Sequence, residues 1–144
     1  MNQKGGDGSP GLFALLHAAG AAQAQVEARL ATVDLSLAKL AALNALAEAG
    51  ESLPLGQLAD RLSCVKSNIT QLIDRLESDG LVARQPSPTD RRTRLAVMTA
   101  AGRKAWRDGT RIQAQAERDM FKHLSRDEAR HLGALMEKIG GQAR

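Results

Sequence analysis

The chain has 144 residues, 43% hydrophobic and 25% charged, a balance that supports a globular core and excludes a disordered or collagen-like polymer. Lys and Arg outnumber Asp and Glu by 20 to 16, giving a net charge of +4 and an isoelectric point near 9.7, which favours a polyanionic partner. A single cysteine, Cys64, excludes an intrachain disulfide framework and points to a reducing, cytoplasmic setting.

The positive excess is local. From Arg61 to Arg107 there are ten Lys/Arg against four Asp/Glu, a net of +6, so the remainder carries a net of −2. Charge alone leaves two readings open, a solubility device or a face for a polyanion.

In chain order, residues 1–10 (MNQKGGDGSP) read as a polar, Gly-rich tail. The run GLFALLHAAGAAQA after Lys4 has the look of a signal peptide, but Asp7 and His17 interrupt that pattern. Its apolar positions also continue at helical spacing through Leu12, Leu15, Leu16, Ala19, Ala22, Val26, Leu30 and Val33, which predicts a mature amphipathic helix over 11–32. No stretch approaches the roughly 20 apolar residues of a membrane span, so no membrane partner is expected. A second helix should follow Ser36 as N-cap, burying Leu37, Leu40, Leu43 and Leu46 and ending before Gly50. Leu53-Pro54-Leu55 leads into a short helix, GQLADRL, and VKSNITQLIDRLESDG forms the next, with Gly80 at C′ and Leu81 folding back on Leu76.

Beyond Gly80 the period changes to two. LVAR and TRLAVM read as strands joined by RQPSPTDRR, a hairpin in which Pro86 and Pro88 should stiffen the arm and block pairing to a third strand. Thr99 is positioned to cap a long helix with Ala101, Ala105, Ile112, Ala116 and Met120 inward. In the last helix Ser125 and Glu128 form a capping box ahead of Leu132, Leu135, Met136 and Ile139.

Residues 57–76, QLADRLSCVKSNITQLIDRL, have helix-turn-helix spacing: Ala59 at the close approach, Ser63 in the turn, Ile69 pinning the second helix. Ile69, Leu72, Ile73 and Leu76 make one buried stripe, and the opposite face presents Ser67, Gln71 and Asp74 flanked by Asn68, Thr70 and Arg75. Ser, Asn, Thr and Gln are poor filler for a merely solvated helix face but suit a major groove. Gln71 and Asn68 can pair with adenine, and Arg75 or Lys66 with guanine or phosphate, while Asp74 either accepts from cytosine or orients an arginine. The hairpin beside this helix completes a winged helix. Its arginines suit the adjacent minor groove, Asp90 is placed to hold the Arg92 guanidinium, and Arg84, Arg91 and Arg94 are expected at phosphates.

These segments (LGQLADRL, KSNITQLIDRLESDGLV, the wing Asp90-Arg91-Arg92, and MTAAGR like the motif L-T-x-x-G-R) closely resemble the MarR (multiple antibiotic resistance regulator) family of bacterial transcription regulators. Pro54 and Ser63 depart from the family habit of Ser/Thr before the first motif helix and Gly in the turn. The resemblance implies a mainly α fold with a small β-hairpin wing: a tail (1–10), an N-terminal dimerisation helix (11–34), a winged helix-turn-helix domain (35–100) and C-terminal dimerisation helices (101–144). It implies a homodimer that sets recognition helix 66–79 into major grooves of a pseudo-palindromic double-stranded DNA operator, with wing 84–94 in the minor groove. Such a protein would be a repressor released by a small ligand or oxidant. A small aromatic ligand is implied by resemblance alone, with Phe13, Leu16, His17, Trp106 and Arg111 as candidate lining.

Cys64, near the start of the recognition helix and Lys66, is either a redox-sensitive thiol or a small turn residue; the family's peroxide-sensing members carry their cysteine in the first helix, where this chain has none. His17, His123 and His131 lack ligand spacing, so no metal or other cofactor is expected. No phosphate loop, nucleophile elbow or Cys-His pair predicts an enzyme. An RNA or single-strand binder would need stacking aromatics, which make up 2% of the chain and are absent from the basic hairpin and the helix before it. A winged-helix protein-interaction module remains the main alternative.

Overall fold

Two apolar periodicities, 3.6 along most of the chain and 2 after Gly80, become six helices and a small sheet in the computed structural model, which describes residues 11–62 and 68–141. Helix α1 spans Leu12–Leu30 and tightens into a 3₁₀ turn over Ala31–Val33. Then come α2 (Leu37–Glu48), β1 (Ser52–Pro54), α3 (Leu55–Arg61), α4 (Ile69–Ser78), β2 (Val82–Pro86), β3 (Arg94–Met98), α5 (Ala100–Phe121) and α6 (Arg126–Gly141).

Helix α2 is the centre of the core. Leu40, Ala42, Leu43, Ala45 and Leu46 are buried on it, each buried leucine contributing about 1.5–3 kcal/mol. Its N-terminus is capped twice, by Ser36 Oγ accepting from Lys39 N (3.2 Å) and by Glu27 Oε1 of α1 accepting from Leu37 N (2.9 Å). Around α2 gather Leu58 of α3, Leu72, Ile73 and Leu76 of α4, and Val82, Ala96 and Met98 of the strands. Leu58 enters a helix one residue longer at its start than the sequence indicated, with Pro54 in the N-cap position and no side-chain cap.

The sheet has three antiparallel strands in the order β1-β3-β2, so the expectation that Pro86 and Pro88 leave the hairpin without a third strand is overturned. Pro86 ends an outer strand, as a residue without a ladder donor must. The third strand joins the other edge of β3, where Leu53 pairs with Ala96 and shares its buried face. A strand of three residues carries too little alternation to be read from sequence.

The first turn of α5 locks the hairpin to α4. Leu81 N donates to Leu76 O and Gly80 N to Glu77 O (both 2.9 Å), closing α4 with Gly80 at φ +74°, as its sequence predicts. Thr99 Oγ1 donates to Gly80 O (2.6 Å) and accepts from Gly102 N (3.0 Å), and Thr99 N donates to Leu81 O (3.1 Å). Gly102 is buried because α5 rests on the Leu81 carbonyl; a Cβ there would overlap that oxygen and lie 2.9 Å from Met98 Cγ. Ala101, predicted inward, is exposed. The helix turns its two small glycines, Gly102 and Gly109, to the core instead.

Helices α1 and α5 run in opposite senses, joined by Arg29 Nη1–Asp119 Oδ2 at 2.7 Å. The first half of α1 projects beyond this contact, and α6 has no buried residue. No single helix is long and apolar enough to cross a membrane.

Gly102→Ala should destabilise the protein by about 2–3 kcal/mol in urea unfolding, because the clash with backbone outweighs alanine's helix-propensity gain of about 1 kcal/mol. Gly56→Ala, with nothing within 4 Å, should be neutral or stabilising. The capping box of α6 forms as predicted: Glu128 Oε1 accepts from Ser125 N (3.0 Å) and Ser125 Oγ from Glu128 N (3.1 Å). These bonds, the backbone one foremost, hold the Glu128 carboxyl below the usual glutamate range. A lowered folded-state value means stabilisation present above the ordinary range and lost as pH falls through the folded value. The protection factor of Ser125 N–H, its exchange rate taken relative to the intrinsic rate at each pH, should therefore fall on acidification, and Glu128→Gln should abolish that fall while keeping the acceptor.

Candidate nucleic-acid interface

Helix α4 has the sharpest division of faces in the chain. Leu72, Ile73 and Leu76 are buried, while Thr70, Gln71, Asp74, Arg75, Glu77 and Ser78 are exposed. Asn68 is the N-cap, its Oδ1 accepting from Gln71 N at 3.3 Å. A bidentate grip on adenine needs that same oxygen, so capping and base reading compete at Asn68. Lys66, Ser67 and Cys64 lie outside the described residues, as does Ser63.

The two flanks of α4 differ. On one side Asn68, Gln71 and Arg75 line a groove with Ser36 and Lys39 of α2, a volume of about 240 Å³. Ser36 was expected only as the cap of α2 and Lys39 was not singled out, since no local spacing places either beside α4. On the other side stands the hairpin. Arg84 at its root, expected at phosphates, bonds Asp74 (Nη2–Oδ1, 2.6 Å) and lies 3.7 Å from Glu77 Oε1. Of the two sequence readings of Asp74, orienting an arginine is the one this geometry fits.

At the tip, the expected Asp90–Arg92 side-chain pair is absent among the described ion pairs. Asp90 instead closes the turn: Oδ1 accepts from Arg92 N (3.0 Å), Oδ2 from Thr93 Oγ1 (3.0 Å), and its carbonyl from Thr93 N (3.1 Å). Two residues is the reach of a carboxylate to backbone N–H, an Asx-type turn, as readily as to a guanidinium. Arg91, Arg92 and Arg94 are exposed and enter none of the described ion pairs.

The five residues proposed to line a ligand pocket do not converge within one chain. Arg29 opposite Asp119 fixes the register of α1 on α5. At 1.5 Å per residue His17 lies about 18 Å from that point one way and Trp106 about 20 Å the other. Phe13, Leu16 and His17 are exposed. Trp106 is half-buried and donates to Asn44 Oδ1 (2.6 Å), and Arg111 bonds Asp108 (2.8 Å). A cavity of about 610 Å³ sits elsewhere, lined by Val33, Asp34, Leu35, Lys39, Asp79 and Ala105 among others. Lys39 and Asp79 are joined at 2.7 Å. Among the described residues no three His, Cys, Asp or Glu side chains gather as metal ligands.

Two short helices in succession, α3 and α4, followed by a hairpin and locked by the next helix, give the described residues the element order of a winged-helix domain. The MarR family profile matches residues 33–93. Among curated proteins, the transcriptional activatory protein BadR of Rhodopseudomonas palustris is 48% identical over 52 residues, 36% of this chain and 30% of BadR. The HTH-type transcriptional regulator MhqR of Bacillus subtilis is 31% identical over 91 residues, 63% of each chain. The matched stretches thus span from about a third to just under two thirds of these relatives. Among solved structures, mutant MarR from E. coli complexed with operator DNA superposes with a TM-score of 0.76 at 25% identity, covering 89% of this chain and 92% of that one. A probable transcriptional regulator from Pseudomonas aeruginosa gives 0.77 at 26%, covering 88% and 94%. The chain is thus similar to MarR-family transcription regulators, by sequence over residues 33–93 and by fold over most of its length.

Asp90→Ala removes two side-chain bonds from the wing turn. Amide exchange at Arg92 should speed up markedly, while global stability changes by less than about 1 kcal/mol because the turn is exposed.

Proposed function

We propose that this protein is a sequence-specific double-stranded DNA-binding transcription regulator, acting as a homodimer on a pseudo-palindromic operator. The segment 66–79 enters the major groove and the wing 84–94 the neighbouring minor groove. The carrying observation is that the polar ridge of α4 and the arginines Arg91, Arg92 and Arg94, which enter none of the described ion pairs, are exposed on adjoining elements tied together at Arg84. In this reading Gln71, Thr70, Asn68 and Ser67 meet base edges, and Lys66, Arg75 and the wing arginines meet phosphate or the minor groove. The E. coli relative whose structure contains operator DNA, similar over nearly its whole length, supports it.

The homodimer is supported by what one chain leaves uncovered. Leu12, Phe13, Leu15 and Leu16 of α1 and Phe121, Leu135, Met136 and Ile139 near the C-terminus are large hydrophobic residues in the open. A second copy covering both ends removes this apolar surface from water, in keeping with segments 11–34 and 101–144 as dimerisation elements.

We further propose repression by promoter occupancy, relieved by a small aromatic ligand. The 610 Å³ cavity is of ligand size and bounded by the α1–α2 turn, the end of α4 and the start of α5. An occupant pressing on Asp79 would move α4. Oxidation at Cys64 is the alternative trigger.

Binding to a duplex carrying an inverted repeat, with half-sites about 10 bp apart, should fall steeply with salt, with the protein sedimenting as a dimer. Arg92→Ala should weaken binding to every sequence and flatten the salt slope by about 0.9 per arginine lost. Gln71→Ala should relax base preference by about 1–3 kcal/mol at one position per half-site. Salt-insensitive binding, or no effect from either variant, would favour the protein-interaction module instead.

A further inference from the structure

Arg84 belongs to the basic hairpin in sequence but not in placement. Side chains alternate along β2, and the pairs Val82↔Met98 and Arg84↔Ala96 put Arg84 on the same sheet face as three buried apolar residues. That face packs against α4, so the guanidinium runs along the helix instead of outward. Its Nη2 lies 2.6 Å from Asp74 Oδ1, and its side chain is 28% exposed against 56% for Asp74. The cation is the more enclosed partner and the carboxylate faces outward. Asp74 stands about 60° around α4 from Gln71, on the polar ridge itself. An unneutralised carboxylate there would meet a phosphate backbone with like charge.

We infer that Arg84 is a positioning residue: it makes no contact with nucleic acid, and acts by neutralising Asp74 and fastening the wing root to the recognition helix. The inference rests on the DNA-binding reading above and assigns a role within it. The charge-assisted bond from Nη2 to Asp74 at 2.6 Å, with Glu77 3.7 Å from Nη1, ties the wing root to α4.

A charge-balanced pair of substitutions separates this role from a phosphate contact. Arg84→Gln, Asp74→Asn and the double variant are compared with the parent on one inverted-repeat duplex, across a salt series, with thermal melts as fold control. Arg84→Gln should bind at least tenfold more weakly, because Asp74 is left bare. The double variant, with the parent's net charge, should recover to within about fivefold of the parent at an unchanged salt slope. Arg84→Lys, which keeps the charge, should stay near the parent. A double variant as weak as Arg84→Gln, with its slope flattened by about 0.9 per arginine lost, would make Arg84 a phosphate contact and overturn the inference. So would Arg84→Lys binding as poorly as Arg84→Gln at an unchanged melt. A parent that ignores every duplex would instead sink the functional reading beneath it, an outcome seen before any variant is compared.

Discussion

The polar side of this molecule is organised around the seating of the first turn of α5 on the backbone of Gly80 and Leu81. Thr99 accepts from Gly102 N while donating to Gly80 O, and its own N–H meets Leu81 O. Each bond is worth only about 0.5–1.5 kcal/mol. Their importance is geometric, because Gly80 ends α4, Leu81 begins the approach to β2, and Gly102 lies in the helix leading to the C-terminus. Helix α4, the hairpin and α5 therefore meet within a few ångströms, and the absent Cβ of Gly102 lets them do so. A motif of the form L-T-x-x-G-R is thus a joint. Its arginine, Arg103, extends the joint to β1 through Glu51 at 2.7 Å.

Around that joint the charges divide into two populations. Lys39–Asp79, Arg84–Asp74 and Arg103–Glu51 each link elements distant in sequence, from α2 to the end of α4, from β2 to α4, and from α5 to the approach to β1. Partly exposed pairs of this kind add little stability, but they orient the elements they connect. The arginines of the wing tip stand apart from these pairs, on a turn closed by Asp90 through backbone rather than side-chain bonds to Arg92. A rigid frame with cations kept out of internal pairs leaves those cations available to an external anion.

The two ends of the chain have the opposite character. The start of α1 and the outer face of α6 keep large apolar side chains in water, and α6 buries nothing against its own chain. Amphipathic helices are stabilised mainly by what covers their apolar face. In the homodimer proposed above, that covering also sets the distance between two copies of α4, so association and groove spacing are one problem.

Much of this was legible in the sequence. Helical periodicity located the helices, Ser36, Thr99 and Ser125 marked their caps, and Gly80 with Leu81 marked the end of α4, because these signals depend on neighbours within about five residues. The two-residue period after Gly80 and the clustered arginines gave the wing for the same reason. What the sequence could not fix was any choice settled across long separation. The third strand joins the hairpin because Leu53 needs the face beside Ala96. Gly102, not Ala101, faces inward because of a carbonyl twenty-one residues earlier. Arg84 turns toward Asp74 because strand alternation places it over α4, and Phe13 parts from Trp106 because α1 and α5 run in opposite senses. Composition and spacing determined which elements form and which surface is basic. Only the packing of those elements decided which charges were consumed in holding them together, since a side chain's partner is set by distance in space.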